Sequence, residues 1–186
     1  MARLPAFPGF PGPDQARLSR YAYLARSIVY QQLSGKAAAT IWRRAAALGS
    51  RGFPAPPQLL ELSDEALRGA GLSGGKVAAL RSLAEHVASG RLSLGGLARR
   101  PDDAVVEHLV QVRGIGEWTA QMFLIFKLGR LDVLPCADLG VQEGLRRLDG
   151  LVERPRPDEL LARGAPWRPL ASVAAWTLWR LADERG

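Results

Sequence analysis

Two apolar helical stripes joined by four residues constrain this chain more than anything else in it. Asp102 or Asp103, just after Pro101, opens a helix that carries Val106, Leu109 and Val110 on one face. A second helix is expected from Glu117 to about Leu128, so the pair spans 103–128. Between them stands Arg113-Gly114-Ile115-Gly116. Glycines on either side of one aliphatic residue allow positive φ and a tight reversal, and Ile115 can plug the gap between the helices. The same turn leaves bare backbone N–H groups at the start of the second helix, where the helix dipole suits a phosphate. A plain tight turn between two helices also fits Gly-x-Gly.

The rest of the chain reads as helix. Leu4 to Pro13 alternates Pro, Gly and Phe and suggests an irregular arm, with Phe7 and Phe10 draped over a core. After Asp14 the pattern turns helical, with Tyr21, Leu24 and Ile28 on one face, and reaches Gln31-Gln32-Leu33-Ser34. An Ala-rich helix follows from about Gly35 to Leu48 and stops at Gly49. Arg51 to Gln58 carries three prolines and reads as a connector. Ser63 is a good N-cap, with Asp64 and Glu65 in the first turn of a short helix ending near Gly69–Gly71. Another helix begins around Gly74, carries Val77, Leu80, Leu83 and Val87, and closes at Gly90. Helix is expected again over Ala137 to Leu148 and Pro169 to Ala182. No stretch sustains the period-two alternation of a sheet, so an all-α fold of about nine helices is expected.

Charge and composition bound the partners. The 186 residues carry a net charge of +7, which favours a polyanion, although the bias towards Arg, Ala, Gly and Pro has a compositional explanation too. Lysine occurs only at 36, 76 and 127. The single cysteine, Cys136, forms no internal disulfide and supplies no cysteine cluster. Met1 to Pro5 shows no secretory signal, and the apolar run Leu170 to Leu181 is too short to span a bilayer, so an intracellular, soluble protein is expected, and it is taken as a monomer.

Taken in order, five segments resemble the helix–hairpin–helix glycosylase superfamily and, within it, the 3-methyladenine DNA glycosylase II family. They are Ile28-Val-Tyr-Gln-Gln-Leu-Ser34, Gly71-Leu-Ser-Gly-Gly-Lys76, Val112-Arg-Gly-Ile-Gly-Glu-Trp-Thr-Ala120, Leu134-Pro-Cys-Ala-Asp-Leu139, and Pro166-Trp-Arg-Pro169 followed by Trp176-Thr-Leu-Trp179. The resemblance runs from about Tyr21 to Ala182.

It implies two helical lobes around a DNA-binding cleft, 14–30 with about 131–186 and about 31–130, without the β-rich N-terminal domain of larger relatives. The family's catalytic aspartate matches Asp138. Read alone, Asp138 is equally a helix cap, and Asp132, its nearest rival, looks like a turn residue. Trp118 stands where lyase-competent relatives carry a Schiff-base lysine, which implies a monofunctional enzyme. Trp118, Trp176, Met122 and Tyr30 match the base pocket, where an indole can hold a cationic methylated purine. Trp176 and Trp179 also read as core residues of an apolar helix.

Gln31 and Gln32 match the family's paired glutamines at the DNA wedge, where the second position, here Gln32, points at the DNA and fills the gap left by an extruded nucleotide, and a turn cap is their other reading. Phosphate contacts fall on Gly114, Gly116, Thr119, Lys36 and Lys76. No cofactor is required for catalysis; the backbone of Val110, Val112 and Ile115 matches a monovalent cation site for Na+ or K+. His86 and His108 read as structural, and Arg113 replaces a usual proline. The implied partner is double-stranded DNA containing damaged bases, with alkylated purines released in base excision repair. Two alternatives remain: a non-catalytic helix–hairpin–helix DNA-binding module, and a glycosylase for another damaged base.

Overall fold

The computed structural model describes residues 7–10 and 12–183, so Met1 to Pro5 and residues 4–6 and 11 of the expected arm lie outside it. Those described residues form eleven α-helices and no strand. They are α1 (Pro13–Arg17), α2 (Arg20–Tyr30), α3 (Gly35–Ala46), α4 (Pro56–Glu61), α5 (Asp64–Gly69), α6 (Gly74–Ala88), α7 (Asp102–Leu109), α8 (Glu117–Phe126), α9 (Leu139–Leu148), α10 (Pro157–Gly164) and α11 (Ala171–Asp183). The all-α expectation is met. No described helix is long and apolar enough to cross a membrane.

Helices α4 and α10 extend the sequence reading. Each starts with proline at its first position, where a missing N–H is harmless, so prolines that look like connector are the first turn. Gln58 accepts the Ala55 N–H at 3.1 Å and Glu159 accepts the Arg156 N–H at 2.8 Å, closing the N-terminus of each helix. Ser63 caps α5 as expected, accepting the Ala66 N–H at 3.2 Å.

The chain divides into two compact units, Arg17–Ala120 and the described residues up to Ala16 with 121–183, the division falling within α8. These limits differ from the expected lobes, because α2 packs on α3 and α6 inside 17–120. Helix α6 is central there, with α2, α4 and α5 against it and Leu24, Ile28, Leu59, Leu67, Leu80 and Leu83 fully buried. In the other unit α9 and α11 pack closely around Val141, Leu145, Leu160, Ala175 and Leu178. They meet closely at Gly144, where an added Cβ would fall on the Leu178 carbonyl.

Candidate functional site

The turn of the hairpin, Arg113–Gly116, lies in the 17–120 unit and is built against α6. Ile115 donates its N–H to the Val112 carbonyl at 3.0 Å, and both side chains are buried, so Ile115 plugs the turn as expected. Gly114 has φ +83°, and a Cβ on it would sit 2.8 Å from that of Ala79, so both backbone conformation and space demand glycine. Ser82 accepts the Arg113 N–H at 3.2 Å and ties the turn down again. Gly116 is exposed with open space around it, which leaves its backbone approachable at the start of α8.

The two glutamines part company. Gln31 turns inward: its side-chain amide donates to the Gly114 carbonyl at 2.8 Å and the Thr119 hydroxyl at 3.4 Å. Gln32 turns outward, exposed, with φ +57°, and is the one non-glycine residue with positive φ among the described residues. That conformation is sterically costly for an L residue, and such strain collects where a side chain must be presented. Gln31 thus braces the turn beside which Gln32 is exposed, a tertiary contact that the sequence reading did not give.

Two expected phosphate contacts have other employment. Thr119 is only 3% exposed and accepts from Gln31. Lys76 donates to the Val29 carbonyl at 2.7 Å near the end of α2, and burial pulls its pKa below the usual lysine value. Lys36 is exposed in the first turn of α3. Trp118 is 47% exposed in the first turn of α8. Tyr30 carries the Arg26 guanidinium 4.0 Å from its ring centroid, so one face already holds a cation. His86 and His108 bond the carbonyls of Ser82 and Ser93 at 2.8 and 3.2 Å, in keeping with structural roles.

In the unit containing 121–183, Asp138 closes a tight turn after Pro135 and caps α9. Its N–H reaches the Pro135 carbonyl at 3.0 Å, and its Oδ1 accepts the Val141 N–H at 2.9 Å. The same Oδ1 accepts the Trp179 indole N–H at 2.8 Å. Gln142 donates to the Cys136 carbonyl at 2.9 Å, which holds the approach to the turn. Asp132 pairs with Arg168 at 2.9 Å and accepts the Ala171 N–H at 3.4 Å, so it secures the start of α11, in line with its turn-residue reading.

Trp176 is half-buried, with Phe7 edge-on at 5.6 Å and the Arg180 guanidinium 6.0 Å from its ring. Met122 is buried. Trp179 is the residue whose part sequence reasoning missed. The signal was its spacing three residues from Trp176 on one helix, which reads equally well as core.

A fixed carboxylate at a helix N-terminus and a glycine hairpin with an approachable backbone are the two chemical features of the fold. Residues 25–169 match the HhH-GPD superfamily of base excision DNA repair proteins. The chain belongs to that superfamily. The 3-methyladenine glycosylase resemblance of the sequence has the same neighbours. DNA-3-methyladenine glycosylase 1 of Schizosaccharomyces pombe is 35% identical over 172 residues, which is 91% of this chain and 75% of that protein. The crystal structure of a DNA-3-methyladenine glycosidase from Bacillus halodurans matches with a TM-score of 0.83 and 42% identity, covering 91% of this chain and 78% of that one. The S. pombe 3-methyladenine DNA glycosylase in complex with abasic DNA matches with a TM-score of 0.81 and 34% identity, covering 92% and 85%.

Proposed function

We propose that this HhH-GPD protein is a monofunctional, intracellular DNA glycosylase that releases alkylated purines of the 3-methyladenine and 7-methylguanine type from double-stranded DNA, acting as a monomer. Two facts support the reading: relatives of the chain are named as 3-methyladenine glycosylases, and the carboxylate at position 138 accepts from two fixed donors. The carboxylate carries the argument.

The target base must leave the stack before its glycosidic bond can be reached, and Gln32, exposed on its positive-φ backbone, fills the gap it leaves. Trp118 offers an indole face to the extruded purine, a stacking and cation–π contribution of roughly 0.5–2 kcal/mol. Trp176 and Met122 are the remaining pocket candidates, and the ring face taken by Arg26 leaves Tyr30 the weakest of them. Alkylation at N3 or N7 makes the base cationic, so it departs as a neutral purine with the electron pair of the C1′–N bond. The sugar is left with oxocarbenium character, which Asp138 stabilises while it orients the water that adds to C1′ and takes up its proton.

Arg113, Gly114, Gly116 and Lys36 hold phosphates. The carbonyls of Val110, Val112 and Ile115 suit a singly charged ion in kind, being neutral oxygen donors, and a cation there would stiffen the turn.

The test is release of free base from methylated DNA, followed by chromatography. Asp138→Asn is expected to lower single-turnover release by roughly 100-fold or more, with binding to abasic DNA retained. Wild-type turnover in that variant would sink the assignment. Absence of any released base from the unaltered protein would leave a DNA-binding module.

A further inference from the structure

The Asp138 carboxylate does not stand on its own helix alone. Trp179, on α11 and 41 residues away in sequence, reaches across to donate its indole N–H to Oδ1 at 2.8 Å. The indole is itself held: Phe126 stacks on it at 5.7 Å with an interplanar angle of 28°, and Phe10 meets Phe126 edge-on at 4.8 Å. The path of the ring also dictates a neighbour. A Cβ on Gly140, in the first turn of α9, would lie 2.9 Å from Trp179 Cδ1 and 3.1 Å from Asp138 Oδ1. Gly140 has no positive φ to justify a glycine, so the space taken by the indole is its reason.

We propose that Trp179 is a positioning residue for the reaction, its N–H fixing the rotamer of Asp138, and that Gly140 is glycine to let the ring reach that carboxylate. The inference rests on the function proposed for Asp138. A cap bond alone leaves the carboxylate able to turn about χ2. A second donor on the same oxygen, arriving from another helix, pins the plane of the group, and preorganised charge of this kind needs no rearrangement as the sugar becomes cationic. Packing alone would explain a half-buried phenylalanine at 179 as well as a tryptophan, whereas the N–H to Oδ1 contact calls for the indole.

The experiment compares three variants of the full chain: Trp179→Phe, Gly140→Ala, and replacement of Trp179 by the benzothienyl isostere, which keeps shape and loses the N–H. Each is measured for single-turnover base release and for affinity to abasic DNA, alone and in an Asp138→Asn background. The isostere is expected to lose roughly 10- to 100-fold in release, the worth of a hydrogen bond to a charged group, with abasic-DNA affinity within about 3-fold of wild type. Gly140→Ala should lose a similar factor, and none of the three should slow the Asp138→Asn protein further. An isostere with wild-type release, beside an inactive Asp138→Asn, overturns this inference and leaves the proposed function standing. An equal loss in both backgrounds overturns it too, since the indole would then act elsewhere. Full activity of Asp138→Asn overturns the function and the inference together.

Discussion

Replacing Gly144 by alanine tests the packing that carries the catalytic candidate. Gly144 is buried on α9 where α11 crosses it, and a Cβ there would fall on the Leu178 carbonyl, with Leu178 Cα only 2.7 Å away. Real Cβ atoms essentially never approach a neighbour closer than 3.0 Å, so the helices must part by about 1 Å. Overpacking of this kind costs about 1–3 kcal/mol, and parting the helices thins contacts among Val141, Leu145, Ala175 and Leu178 besides. Against this, alanine is a better helix former than glycine by about 1 kcal/mol. Because the obstacle is backbone and cannot swing aside, the clash wins, leaving a net loss of roughly 2 kcal/mol. For a chain of this length that is a fall in Tm of about 4–8 °C. Gly75→Ala is the control: it lies in the first turn of α6 with open space around it and no positive φ, so its Tm should hold or rise slightly. Thermal melts by circular dichroism on the two variants decide the matter. If Gly144→Ala melted at or above the wild-type temperature, α9 and α11 would not meet as closely as the Leu178 contact requires.

Two further outcomes follow from the geometry. Gln32→Gly relieves the φ +57° backbone, so Tm should rise by about 1–3 °C while base release falls, and a release assay with melts on the same protein checks both signs. The Glu143 carboxylate accepts from Arg146, Arg154 and Arg147, which holds its pKa well below the usual 4.5. Its folded pKa being depressed, that contribution is present above about pH 4.5 and is lost as pH falls further. Glu143→Gln should therefore lower Tm at pH 7, and the gap to wild type should narrow in melts run at successively lower pH below 4.5.

How much of this was legible depends on how local each feature is. Ser63, the glycine turn at Gly114 and the stripe on α6 are set by residues within one or two turns of each other, and periodicity finds them. Helices α4 and α10 begin at prolines whose partners, Gln58 and Glu159, sit three residues on from the capped N–H. That capping pattern was there to be read, and the proline content of 51–58 masked it. Gln31 and Gln32 are adjacent and chemically identical, and although the family resemblance points the second outward, nothing local shows that the first braces the turn. Only the position of Gly114, 83 residues on, decides which side chain turns in. Thr119 and Lys76 are of the same kind: hydroxyl and ammonium groups suit phosphate, but their bonds to Gln31 and Val29 are tertiary facts. The division within α8, rather than at the ends of a helix, is tertiary in the same sense.

Capping and catalysis are easily set against each other at Asp138, as if a carboxylate bonded to its own helix were thereby spent. The bonds argue the other way. Val141 and Trp179 both reach Oδ1, so the group is oriented by two donors that approach from different helices. A carboxylate on a long flexible side chain would have to lose conformational freedom each time a sugar arrived, and part of its electrostatic benefit would go into that ordering. At an N-cap the ordering is already done during folding, and the helix dipole favours negative charge at the same place. In the proposed reaction, the cap is thus what makes the short side chain of Asp138 useful for facing a transient cation.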